Sequence, residues 1–504
     1  MLSSYGICAC LVVAASALLW LSRLRRLSPL QRLPLPPGPP SSWTGSVDLP
    51  RTCPWITYHQ WRKTYGDIIY INKLANPIII LNSLDAIRDL FEKRSGSYSS
   101  RPTRTMMQLC GLDWLFSSMK YGNDHKRHRN MFQRHFPTTG VHEEYQALQL
   151  RQTHVFLRNM LHRPENFYYQ VRRYGHEVAE SGDYYVGLAD DALQSVSQAG
   201  IFGSFFVDYL PWLQYVPAWF PGASWKRKAQ WWRSKSQEMV TYPFEKLLQR
   251  LNEGTATPCL VTQELDYQAK SGAGAREDER IIKNVAATTY AGGSDTVVSA
   301  MRSFLLAMAL HPEVQRKAQQ GLDRVCAGRL PLFADRAELP YIGCICYELL
   351  RWQPVTPLGL ARVIEHDAEY RGFRIPKGAT IIPNVWSILH DEQRYPDPMT
   401  FDPDRFQGKS KKDAGQNELP EMAFGFGRRI CPGRYLAFDT LWIFVASTLA
   451  VYDIRKAVDE EGKVIEPRVA YESTLLSHPL PFPCDIVPRS AVAEALIRST
   501  ADES

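Results

Sequence analysis

The sequence predicts a mainly α protein with a minor β region, and three observations carry that expectation. Segments with helical spacing dominate from Ala147 to Leu350, extended signals are short and few, and no composition shift divides the main body of the 504-residue chain. With 45% hydrophobic residues, one large core can be buried. The expected organisation is an N-terminal anchor over residues 1–22, a basic and proline-rich linker over 23–45, and one catalytic domain over 46–504.

The longest helical patterns run from Arg280 to Leu310 and from Pro312 to Arg324, separated by short Pro/Gly turns. Strand signals fall at Asp67 to Asn72, Pro77 to Leu81 and Tyr370 to Ile382. The last reads as a hairpin around Gly372 and the turn Pro376-Lys377-Gly378. The small segment Ser271-Gly272-Ala273-Gly274-Ala275 follows no buried strand, so its GxG fragment is a helix–helix connection and not a phosphate loop.

The formal net charge is +7, but the charges are scattered and form no dense basic run. That pattern excludes nucleic acid as an expected partner and favours an acidic protein or an anionic membrane surface. None of the ten cysteines forms a CxxC pair, and no Asn-x-Ser/Thr acceptor occurs, so reduced thiols and a cytosolic body are expected.

Met1 to Ser22 carry no charged side chain, and Gly6 to Leu21 are nearly all apolar, enough for a helix to just cross a bilayer core. Arg23, Arg25, Arg26 and Arg32 follow this run, which places the body on the cytosolic side. A cleaved signal peptide would carry its positive charge before the apolar run, and none is there. The stretch Pro34-Leu35-Pro36-Pro37-Gly38-Pro39-Pro40 cannot be helical and reads as a stiff, extended strap.

The most specific signal is Phe424-Gly425-Phe426-Gly427-Arg428-Arg429-Ile430-Cys431-Pro432-Gly433, just before an apolar helical pattern from Tyr435 to Leu449. Its glycines let the backbone approach a flat ligand, and a position near a helix N-terminus favours a thiolate at Cys431. Within the long helical pattern, Ala291-Gly292-Gly293-Ser294-Asp295-Thr296 places two glycines where each costs about 1 kcal/mol relative to alanine, so a compensating role is expected. Glu348-Leu349-Leu350-Arg351 sets an acid and a base on one helix face. The run Phe401-Asp402-Pro403-Asp404-Arg405-Phe406 follows later in the chain.

These segments, in this order, resemble the cytochrome P-450 family, and the resemblance covers almost the whole chain. It implies haem b held between the central long helix and the cysteine loop, with Cys431 as the axial iron ligand and Phe424, Gly425 and Gly433 shaping the loop. It implies that Asp295 and Thr296 manage the two protons needed as dioxygen is cleaved, with Val297 replacing a second hydroxyl residue often seen there. Glu348, Arg351 and Arg405 are implied to form a buried, haem-retaining network.

The haem carboxylates call for cationic partners, and Arg429, Arg362 and Arg129 match by position. His125 stands where the family usually has Trp. The resemblance also implies electrons from NADPH through a flavin reductase, met by a basic face that includes Lys126, Arg127, Arg428 and Arg434. An endoplasmic reticulum membrane location, single-pass with the catalytic domain facing the cytosol, follows from it as well.

A lipophilic substrate pocket is implied for Met106 to Phe116, Tyr290, Val355 to Leu358 and Leu475 to Ser477. The aromatic stretch Pro211 to Gly222 resembles fungal members, many of which tailor secondary metabolites, so terpenoid or aromatic natural products are the leading substrate class, beside xenobiotics. Two other readings stand beside monooxygenation: an isomerase or dehydratase that uses no dioxygen, and a non-enzymatic haem sensor or carrier. Both would need the Cys431 loop, and the sensor would not need Asp295 and Thr296.

Overall fold

A computed structural model describes residues 28–42, 45–137, 143–172, 184–201, 203–271, 275–408 and 420–501. The expected anchor with Arg23, Arg25 and Arg26, and the connection Gly272 to Gly274, lie outside the described residues. The fold is mainly α with a minor β region, as the helical spacing predicts.

The centre is formed by two helices. The long helix Ala275–Leu310 lays Met301, Phe304, Leu305 and Met308 into the main core. Against it packs the core helix Arg434–Val451, whose Leu441 to Val451 stretch is buried on nearly all sides. A helix apolar all round belongs inside a large protein, and this one is. The bracing helix Pro340–Trp352 adds Ile345, Leu349 and Trp352 to the same core.

The sheets are small. Strand β1 (Ile68–Lys73) and β2 (Asn76–Leu81) form a hairpin whose turn residues Leu74 and Ala75 both have positive φ, the hand that suits a two-residue hairpin. Strands β3 (Arg362–Val363), β4 (Ala368–Tyr370), β5 (Phe373–Ile375) and β6 (Thr380–Pro383) follow the bracing helix. The hairpin expected around Gly372 is β4 with β5 alone. After Pro376-Lys377-Gly378 the chain leaves that pair, and β6 joins the other sheet, parallel to β2 and antiparallel to β3. All four residues of β6 are buried, which the β4–β5 ribbon does not offer. Strands β7 (Tyr452–Lys456) and β8 (Cys484–Pro488) close the C-terminal side.

The proline strap is extended and is seated on the body. The Pro37 carbonyl accepts the Tyr70 amide at 2.9 Å, and the Pro34 carbonyl accepts the Arg374 amide at 2.8 Å. At Gly38 a Cβ would stand 1.9 Å from the Tyr70 carbonyl oxygen, so only glycine fits without displacing the strand. Gly38→Ala is expected to lower stability by about 1–3 kcal/mol through this overpacking. Thermal unfolding of the full chain checks it, and an unchanged midpoint would show that the strap is not held there.

Candidate functional site

The loop before the core helix is closed by its own backbone: the Cys431 amide donates to the Phe424 carbonyl at 2.8 Å. Gly425 and Gly427 make the turns at φ 86° and 53°, and a Cβ on Gly427 would lie 2.2 Å from the Phe91 carbonyl oxygen. Glycine is required there by conformation and by space. Burial pushes the Cys431 thiol up, opposed by a hydrogen bond from the Gly433 amide and by the guanidiniums of Arg129 and Arg434. The surroundings therefore contain the donors that a thiolate needs. All eight cysteines among the described residues are free.

Positive charge gathers around this loop. Arg362 is buried, stacks over the Phe91 ring at 3.9 Å, and donates to the carbonyls of Phe426 at 2.6 Å and Tyr98 at 3.1 Å. Arg429 donates to the Ser99 carbonyl at 2.8 Å and to that of Met119, while its third nitrogen, Nη1, is buried with no partner. Arg129, on the basic helix Asn123–His135, reaches the Ile430 carbonyl at 3.0 Å.

Arg101, which the sequence does not single out, is buried beside them and donates to Ser117, Leu360 and Ala361. Burial pushes Arg362 down to about 9 and Arg429 down to about 10, each further lowered by a neighbouring arginine. His125 is buried, its Nδ1 lacks a partner, and burial followed by Arg429, Arg129 and Arg101 pushes it down to about 3.

Among the described residues no carboxylate pairs with any of these four arginines. Buried guanidiniums without an acid are costly. Two orphaned nitrogens beside them fit a ligand that brings its own carboxylates, as haem does.

On the long helix, a Cβ added at Gly292 or Gly293 would meet nothing within 4 Å, so the small residues leave open space on that face. Thr296 Oγ1 donates to the Gly292 carbonyl at 2.6 Å, and Ser294 Oγ to that of Tyr290 at 2.8 Å. Asp295 Oδ1 faces His478 Nε2 at 3.2 Å, a contact between residues distant in the chain that no local pattern announces.

Glu348 and Arg351 are both fully buried and pair through two contacts, at 2.6 and 2.7 Å. Arg405 Nε approaches Glu348 Oε1 at 3.2 Å, and the Asp402 amide donates to the same oxygen at 2.8 Å. Arg351 then reaches the carbonyls of Leu389, Pro398 and Thr400, so every side of the pair is satisfied.

The residues expected to line a pocket divide into groups. Tyr290 packs edge-on against Tyr185 in one cluster with Met106, Leu112, Trp114 and Leu115. Leu475 lies over Gly200, and the Ser477 amide donates to Val355 at 2.8 Å. Leu358 packs instead with the β1–β2 residues.

The comparisons agree with this architecture. The Cytochrome P450 family profile matches residues 190–482. Cytochrome P450 monooxygenase 208 of Postia placenta is 42% identical over 481 residues, covering 92% of each chain. A cytochrome P450 monooxygenase of Armillaria gallica is 41% identical, covering 97% of this chain and 98% of its own. Cytochrome P450 monooxygenase COX2 of Coprinopsis cinerea is 39% identical, covering 93% and 91%.

A mainly α fold around a cation-ringed cysteine loop is that of a haem-thiolate protein. The chain belongs to the cytochrome P450 family, and its general activity is monooxygenation, with dioxygen and reductase-supplied electrons.

Arg351→Ala leaves Glu348 buried without its main partner, and a loss of about 3–5 kcal/mol is expected. Yield of folded protein and its denaturant midpoint check this; a loss below about 1 kcal/mol would mean that the pair is not buried.

Proposed function

We propose that this protein is a membrane-anchored monooxygenase that inserts one oxygen atom from dioxygen into a lipophilic or aromatic small molecule. The leading substrate class is terpenoid or aromatic natural products, beside xenobiotics. Electrons come from NADPH through a flavin reductase. Residues 1–22 anchor the chain in the endoplasmic reticulum membrane, single-pass, with the body in the cytosol.

The observation that carries the haem assignment is the ring of arginines without an acid around the Cys431 loop. Arg429, Arg362, Arg129 and Arg101 hold the carboxylates of haem b, and neutral His125 donates through Nδ1. Cys431 would supply the thiolate that holds the iron, with Phe424, Gly425 and Gly433 shaping the loop around it. When bound, the haem supplies the oxygen chemistry.

The chain positions substrate and protons. Asp295 takes up and releases protons at its carboxylate, and Thr296 Oγ1 relays them toward the open face at Gly292 and Gly293. Tyr290, Val355 and Leu475 line the substrate side and exclude water. Glu348, Arg351 and Arg405 brace the opposite side. The acid–alcohol pair supports oxygen activation over an isomerase, dehydratase or sensor, none of which needs it.

The deciding experiment is expression of the full chain with a reductase in microsomes, followed by a reduced carbon-monoxide spectrum and product analysis against terpenoids and small aromatics. A spectrum without thiolate character would sink the assignment, and products formed without NADPH would favour the isomerase. Arg101→Gln and Arg429→Gln are each expected to lower the haem-to-protein ratio several-fold, since charge-assisted bonds to a carboxylate contribute about 1.5–3 kcal/mol. His125→Phe is expected to lower it less, and unchanged haem content would remove that residue from the site.

A further inference from the structure

Asp295 sits mid-helix, where its carboxylate is only 11% exposed, and a carboxylate so placed needs a partner to stay charged and in one position. One such partner comes from far along the chain. His478 is 9% exposed in its side chain, with Nε2 at 3.2 Å from Asp295 Oδ1. Its Nδ1 is buried with no hydrogen-bond partner. That asymmetry favours a proton on Nε2, toward the acid, and a bare Nδ1.

The backbone around His478 is fixed from several sides. The Glu472 amide donates to the His478 carbonyl at 2.8 Å, and Ser299 Oγ, from the long helix itself, donates to the Ser477 carbonyl at 2.7 Å. The Ser477 amide holds Val355, and Tyr471 pairs with Pro479 in an isolated bridge while its hydroxyl reaches Ser303. One segment is thus fastened to the long helix at Ser299 and Ser303, about one and two turns past Asp295, and the imidazole is delivered to the carboxylate preorganised.

We propose that His478 is a positioning residue for Asp295: its Nε2–H holds the carboxylate in the place and charge state from which Asp295 handles protons. This rests on the role given to Asp295 in the proposed function. Loss of the imidazole frees the carboxylate to change rotamer, and the electric field on the open face at Gly292 and Gly293 changes with it.

Carbon monoxide bound to the reduced haem protein is the probe, because its infrared stretch follows that field and no substrate is needed. The full chain is compared with D295N, H478L, H478Q and the D295N/H478L double variant at one pH, each checked for its thiolate-type absorption. D295N and H478L are expected to shift the C–O band, the double variant to shift it no further than D295N, and H478Q, whose amide also presents an N–H, to return it toward the wild-type position. If H478L fails to retain haem, H478N, with a side chain too short to span the contact, replaces it in the comparison.

A wild-type band in the disrupting variant while D295N shifts, a fully additive double variant, or an H478Q band no nearer to wild type than H478L each overturns the inference alone. A band that D295N leaves in place shows that Asp295 does not face the oxygen site, and overturns the underlying reading and the inference together.

Discussion

Uncancelled positive charge beneath the Cys431 loop is the constraint around which this structure is arranged. Arg101, Arg362 and Arg429 are held by carbonyls from distant stretches of chain: Tyr98, Ser99, Ser117 and Met119 on one side, Leu360 and Ala361 on another, and Phe426 in the loop itself. Carbonyl dipoles orient a guanidinium without neutralising it. The same bonds that aim the charges also fasten the loop to β3, through Arg362, and to the stretch preceding the basic helix, through Arg429. If these arginines hold haem carboxylates as proposed, ligand recognition and loop rigidity are one set of interactions, and a substitution made to weaken the first also loosens the second.

The Glu348–Arg351 pair solves the opposite problem. Its charges cancel internally, and the leftover donors go to carbonyls of residues 389–400, the meander that leads toward the cysteine loop. One network is complete in the protein alone, while the other, in the proposed reading, would be completed by an anionic ligand.

What the sequence made legible follows from how local each signal was. The cysteine loop, the glycine pair on the long helix and the Glu-x-x-Arg pair are contiguous, so their chemistry shows in short windows. Strand β6 was not legible as a sheet partner of β2, because that pairing joins Ile79 to Ile381 across the chain and nothing near Gly378 announces it. Arg101 and His478 were missed for a related reason. Each is a single polar residue whose significance comes from burial beside residues distant in sequence, Leu360 for one and Asp295 for the other. The hairpin around Gly372 was visible because its strands are adjacent, although its expected extension to Ile382 crossed from one sheet into another.

The seated strap has a mechanical meaning for the proposed anchor. Pro34 is bound to β5 and Pro37 to β1, the short helix Pro29–Arg32 packs on β5, and Gln31 reaches Asp367, so the body holds the chain from residue 29 onward. In the proposed topology the membrane would therefore be tied to one fixed corner of the body, which biases which of its faces meets a lipid-dissolved molecule first.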